Sequence, residues 1–187
     1  MMRSKCSRWV SGIGALVVLM ASAGVGFVDL AGAIPLESWD NKIPNASMRF
    51  KVLAEFSNQA VLDKETGLVW EQSPASTNTL WEAARTQCTA LTTGGRKGWR
   101  LPSVHELASL IDPTVVGGAF NITLPVNHPF SNITPLNGYW TTTSDAAHPG
   151  WVWAVTFFNG DVVPFISAGV GTHPTWCVRG GMNADAY

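Results

Sequence analysis

The sequence predicts an α+β domain in which two short helices pack on a small antiparallel sheet with long irregular loops. Three observations lead there. Two segments in the middle of the chain carry helix-start signals followed by apolar residues at helical spacing. The last third is rich in aromatic and β-branched residues and contains Asn159-Gly160, the strongest short hairpin signal present. Helices and strands are segregated instead of alternating, which argues against a parallel sheet.

The elements follow in order. Arg3, Lys5 and Arg8 precede an uncharged run over residues 9–28, and small residues end at Ala31-Gly32-Ala33. That order predicts a secretory signal over residues 1–33, with an uncleaved N-terminal anchor through residues 9–28 as the alternative. Either way the rest of the chain is exported, to the periplasm, the cell surface or the medium. Residues 34–48, with Pro35 and Pro44, read as a linker, residues 49–181 as the domain and 182–187 as a tail. Strands are expected over 49–55, 60–63 and 68–71, the last two joined by a polar turn. Thr79-Leu80-Trp81-Glu82 matches a capping box, and Trp81, Ala84, Cys88 and Leu91 form one stripe of a first helix that stops before Gly94-Gly95. Ser103-Val104-His105-Glu106 is a second capping box, with Val104, Leu107, Ala108 and Ile111 on one face and Asp112-Pro113 at the end. Residues 114–138 lack any period and read as a long loop of the kind that carries function. Strands follow at 139–143, 151–158, 161–166 and 175–179, with Pro164 marking an edge or a bulge.

Composition narrows the function classes. Only 13% of residues are charged, about half the usual share, and there are nine Trp, so a disordered charged tail and a coiled coil are excluded. A formal net charge of -1 gives no footprint for nucleic acid. Without residues 1–33, which hold Arg3, Lys5, Arg8 and Asp29, nine basic and twelve acidic residues remain, a net charge of -3. Cys88 and Cys177 are then the only cysteines, and in an exported domain they read as one disulfide, against two separate buried thiols. The loop it closes would stabilise by roughly 4 to 5 kcal/mol.

Chemistry-bearing residues are few. No Gly-x-Ser-x-Gly elbow links the histidines to a nucleophile, so no catalytic residue is assigned and the chain is not expected to be an enzyme. His128, His148 and His173 stand 20 and 25 residues apart without zinc spacing, so no metal ligand and no cofactor is assigned; calcium is the one cation kept open. In Gly98-Trp99-Arg100-Leu101-Pro102 the structural reading is preferred: Trp99 fills core and Arg100 makes a bidentate pair with Glu106 or Asp112. Arg179 is read the same way. Trp151, Trp153 and Val155 share one strand face, which predicts a buried row, while Trp140 either joins the core or stacks a ligand beside the long loop. The candidate ligand surface is that loop with Asn127, His128 and Trp140, plus the turn from Asp145 to Trp151.

Several of these landmarks together resemble a known bacterial family. They are Thr66-Gly67-Leu68-Val69-Trp70, Trp81-Glu82-Ala83-Ala84 with Cys88 and Leu91, the Trp99-Arg100-Leu101-Pro102 element followed by Glu106-Leu107 and Ser109-Leu110-Ile111-Asp112, Tyr139-Trp140-Thr141-Thr142-Thr143, Phe158-Asn159-Gly160, and Cys177-Val178-Arg179-Gly180-Gly181. Over residues 49–181 the chain is similar to the C-terminal domain family of the collagen-like adhesin Lcl, a domain of unknown function. The resemblance implies a C-type-lectin-like fold, distantly related to formylglycine-generating enzymes, with Trp70, Trp81, Trp99, Arg100, Glu106 and Arg179 as structural residues. It implies a secreted or surface domain, and an adhesin that binds sulfated polysaccharides and trimerises. Here there is no collagen-like repeat, and Arg96-Lys97-Arg100 is the only basic cluster for a polyanion. Formylglycine-type chemistry uses a reactive cysteine pair, whereas Cys88 and Cys177 are better explained by a bridge. The expected function is a non-catalytic, exported binding or adhesion module whose partner is a glycan, including carbohydrate at a cell surface, or another surface polymer. The alternative is a structural envelope or matrix domain that binds protein chains, including a homo-oligomer.

Overall fold

The computed structural model describes residues 45–117, 122–167 and 171–180. The signal segment, residues 34–44 of the expected linker and the 182–187 tail lie outside the described residues. The end of that linker is structured, contrary to expectation. Asn45 Oδ1 accepts the Ser47 N–H at 2.9 Å and caps a one-turn helix, α1 (Ala46–Arg49). The turn carries Ala46 and Arg49 into the interior, each 1% exposed. The Arg49 guanidinium grips Asp63 with two bonds of 2.9 and 2.8 Å, donates to Ser109 O at 2.8 Å and lies 2.9 Å from Glu65. A buried guanidinium is tolerated when its donors are matched this fully.

The first strand is shorter than the sequence suggested. β1 (Phe50–Val52) gives way to a 3-10 turn at Ala54–Phe56, because the chain reverses through Ser57 and Asn58 at positive φ. β1 pairs with β2 (Ala60–Asp63), and β2 with β3 (Val69–Glu71). The sheet is completed from far along the chain: its order is β1-β2-β3-β10-β5, with β10 at Val178–Arg179 and β5 at Trp99–Arg100, all antiparallel. A two-stranded ribbon joins β4 (Ala75–Thr79) to β9 (His173–Thr175). A three-stranded sheet holds β6 (Tyr139–Ser144), β7 (Trp151–Val155) and β8 (Val162–Ile166) in that order, which puts Pro164 on an edge strand. The expected last strand, 175–179, is divided between β9 and β10.

Two further helices pack on the sheets, the first beside β5, β6 and β9 and the second beside β6 and β7. In α2 (Trp81–Ala90), Ala84 and Cys88 are fully buried, and Trp81 and Leu91 pack partly against the same cluster. The expected capping box at Thr79 is not formed. Leu80 is the N-cap with no side-chain bond, because Thr79 is held in the β4–β9 ribbon with its hydroxyl 3.3 Å from that of Thr175. The box at α3 (Val104–Ala108) is formed in both directions, Ser103 Oγ accepting from Glu106 N–H and Glu106 reaching back to Ser103 N–H.

Period-2 alternation sends the sheet's side chains into two clusters. Val61, Trp70 and Val178 join Val104, Leu107 and Leu110 in one; Ala60 and Cys177 join Ala84, Cys88 and Trp99 in the other. The Cys88–Cys177 disulfide, with Cα atoms 5.4 Å apart, ties α2 to the chain just before β10. The long loop is a packed strap, not a free polar surface. Asp112 N–H donates to Thr123 O, Thr123 N–H donates to Phe157 O at 2.8 Å, and Leu124 and Phe130 sit in the core. A Cβ on Gly117 would overlap Phe158 O, so only glycine fits where this segment meets the turn between β7 and β8.

Candidate functional site

The turn between β6 and β7 builds itself around one carboxylate. Asp145 is 9% exposed; its Oδ1 accepts the Ala147 N–H at 3.0 Å and its Oδ2 lies 2.6 Å from His148 Nδ1. The hydrogen bond from His148, and then that from Ala147, hold the Asp145 carboxyl below the usual carboxylate range. A carboxylate only accepts, so His148 Nδ1 carries the proton and Nε2 belongs to the open side of a ring whose side chain is 63% exposed. Backbone bonds from Asp145 N–H to Trp151 O (2.9 Å) and from Trp151 N–H to His148 O (3.0 Å) close the turn, and set the imidazole 5.7 Å from the Trp151 indole.

Trp151 is half-buried, not sealed in a row as expected; it forms one wall of a shallow recess with Phe165, Ile166 and Gly171. Behind this recess lies a tier of rings. Phe165 packs on His173 at 4.2 Å, and Trp140 packs edge-on to His173 at 4.4 Å and to Phe165 at 6.4 Å. Burial pushes the His173 imidazole below its ordinary pKa, and the hydrogen bond it donates to the Gly138 backbone offsets this only in part. Trp140 is 0% exposed and its indole N–H donates to Thr79 O at 2.8 Å. It is therefore a buttress of the recess and not a ligand-stacking surface, which corrects the alternative left open by the sequence.

The other two candidates lie elsewhere. Asn127 is exposed with φ 65°, and His128 stacks on Phe130 at 5.9 Å. His128 Nδ1 is buried without a partner, and burial lowers its pKa. Their loop is moored to the β3–β4 connection, by Gln72 Nε2 to Pro129 O and Asn132 Nδ2 to Pro74 O. Among the described residues no hydrogen bond, ion pair or ring contact joins them to the Asp145–Trp151 turn. Sequence reasoning did not assign Phe165, Ile166 and Gly171, because the recess exists only once β8 and the approach to β9 meet.

The motif residues are structural ties. Arg100 makes a bidentate pair with Glu106, at 2.8 and 2.6 Å, and donates to Gly180 O at 2.7 Å. Desolvation pushes the Glu106 carboxyl up, but the Arg100 pair and the hydrogen bonds with Ser103 together bring it below the ordinary range. Arg179 Nε donates to Lys97 O at 2.8 Å, so the strands bearing the two arginines brace each other. Trp70 and Trp99 are core, and Trp81 donates its indole N–H to Thr141 O at 2.8 Å. The basic cluster on the surface is accordingly Arg96, Lys97 and Arg179, since Arg100 is spent on Glu106. Among the described residues no group of three or more His, Cys, Asp or Glu is placed to hold a metal ion, and no helix is long and apolar enough to cross a membrane.

A family model, the Lcl C-terminal domain, matches residues 59–179. The chain belongs to the Lcl C-terminal domain family. Comparison with the curated proteins finds no match. The span assigned to the Lcl C-terminal domain begins just before β2 and ends at the last residue of β10, so it includes both ends of the disulfide, the Arg100–Glu106 pair and all four walls of the recess. Chemically, the Lcl C-terminal domain of this chain offers an indole face, an apolar floor and one oriented imidazole at the rim. That set suits the reversible binding of a ligand with an apolar face and polar edges.

Proposed function

We propose that this chain is an exported, non-catalytic binding module that recognises a glycan or another surface polymer at the Trp151 recess. The observation that carries the reading is the half-buried Trp151 indole beside the Asp145–His148 pair. A pyranose presents a C–H face that packs on an aromatic ring and hydroxyls that hydrogen-bond an imidazole at its edge. Export is supported by the Cys88–Cys177 bridge, which persists in oxidising compartments. The same bridge removes both cysteines from thiol chemistry, which favours binding over catalysis. A C-type-lectin-like assignment of the α+β fold belongs to this proposal, supported by the family and by a disulfide that joins an early helix to the end of the sheet.

The test is a screen of the full chain against glycans and sulfated polymers, with and without a calcium chelator. Trp151→Ala should weaken any hit by about tenfold or more, as loss of a stacking ring does. No hit above background, or a hit indifferent to Trp151, defeats the reading. A hit abolished by chelation assigns calcium to the site, and one that tracks Arg96 and Lys97 instead moves the contact to the basic cluster. A second reading, docking of a protein chain or a second copy, is favoured by Val162 and Ile166 on the edge strand, 41% and 40% exposed. Light scattering that shows a concentration-independent monomer counts against the second-copy form.

A further inference from the structure

Five acids among the described residues have a basic side chain at hand: Asp63 and Glu65 share Arg49, Glu82 has Arg85, Glu106 has Arg100 and Asp145 has His148. Glu71 does not. It is 9% exposed, and among the described residues no Lys, Arg or His forms an ion pair with it. Its Oε2 accepts the Cys177 N–H at 2.9 Å, while Oε1 accepts no hydrogen bond among the described residues. Glu71 lines an open cleft of about 170 Å³ together with Gln59, Gln72, Ser73 and Thr93. Both ends of the Gln72 amide are engaged, Nε2 donating to Pro129 O at 2.7 Å and Oε1 accepting the Ser131 hydroxyl at 3.4 Å, and Gln59 Oε1 accepts the Gly94 N–H at 3.0 Å. Ser73 and Thr93 bring hydroxyl oxygens. The cleft therefore sets two hydroxyl oxygens beside one carboxylate, and none of its lining residues is a cation.

We propose that this cleft is a second binding site, distinct from the Trp151 recess, that takes a primary ammonium group with Glu71 as its counter-ion. An ammonium is a compact charge with three donors, which one carboxylate oxygen and the neighbouring hydroxyl oxygens satisfy. A guanidinium fits less well, because its fork wants both carboxylate oxygens and Oε2 is already held by Cys177 N–H. A calcium ion wants six to eight oxygens, with more charge than one carboxylate brings. Burial pushes the Glu71 carboxyl up to about 7, against the pull of the Cys177 bond, so an ammonium binds by displacing a proton near neutrality.

The experiment is an amide chemical-shift titration of the full chain. Glucosamine and Nα-acetyl-lysine amide are the ammonium probes, one for a sugar source and one for a peptide source; N-acetylglucosamine and glucose are neutral controls. The ammonium probes should shift the amides of Glu71, Gln72 and Cys177, and the neutral sugars should not. Affinity for Nα-acetyl-lysine amide, whose ammonium stays charged throughout, should fall about tenfold from about pH 8 to about pH 6, as the carboxylate takes up its proton. Glu71→Gln keeps an acceptor for Cys177 and should lose about tenfold in affinity at the higher pH. Ser73→Lys tethers an ammonium at the cleft, and should block the probes whether or not Glu71→Gln folds. Equal shifts with the neutral sugars, pH-independent binding, probe binding undiminished in Ser73→Lys, or no shift at these amides overturns the proposal. The glycan reading, which rests on Trp151, stands or falls separately.

Discussion

Glu71 sets a sign on how stability varies with pH. Its carboxyl titrates at about 7 in the folded chain against 4.5 unfolded, so the folded state holds the extra proton between those values. The contribution is fully present below about pH 4.5 and is lost as pH rises through about 7; it amounts to about 3 kcal/mol. Denaturant midpoints should therefore fall from mildly acid to mildly alkaline pH, and Glu71→Gln should flatten that fall. Parallel curves for the two proteins would contradict the burial account. The two tryptophans at the recess separate in the same way. Trp140→Ala empties a fully buried site and should cost about 3 to 5 kcal/mol in unfolding free energy, whereas half-buried Trp151→Ala should cost clearly less. The Arg100–Glu106 tie was legible in the sequence because both partners lie within one loop and a capping box. Glu71 was not, since its burial and its donor depend on Cys177, 106 residues away.

Among the elements, α3 was readable and α2 only in part, for a local reason. Ser103 and Glu106 have no competing duty that breaks their capping box; Ser103→Ala should cost about 1 kcal/mol in thermal or chemical unfolding, and an unchanged midpoint would show that the box contributes nothing. At Thr79-Leu80-Trp81-Glu82 the same pattern fails because Thr79 is the last residue of β4 and faces Thr175. β4 itself, Ala75-Ser76-Thr77-Asn78-Thr79, was invisible: it is polar, mostly exposed, and its partner β9 lies almost a hundred residues on. The strap over residues 122–138 misled for the opposite reason. Its prolines and asparagines read as a polar loop, but Leu124 and Phe130 between them are core, so Asn127 and His128 lie far in contact terms from the Asp145 turn. Pro164 announced an edge strand correctly, since a residue without N–H is tolerated there.

At the scale of the molecule, the α+β class and antiparallel pairing followed from the sequence, while the strand order did not. The central sheet assembles β10 between β3 and β5, a closure that no local pattern encodes. It also buries both faces, which blurs the alternation that a one-sided sheet would show. The bridge fastens that late closure. Reduction of Cys88–Cys177, or Cys88→Ala with Cys177→Ala, should lower stability by about 4 kcal/mol on the chain-entropy account, read as a drop in the unfolding midpoint. An oxidised and a reduced chain that melt together would mean that the bridge is incidental to the fold.

Backbone and sulfur together make a covalent ring from Cys88 to Cys177, and Trp151, Phe165, Ile166 and Gly171 all lie on it. A protease that cleaves one peptide bond inside the ring linearises it without shedding a fragment. Such a nicked molecule runs as one species until reductant is added and as two afterwards. Loss of the recess then requires two independent cuts or one cut plus reduction, so in oxidising surroundings the first nick is survivable.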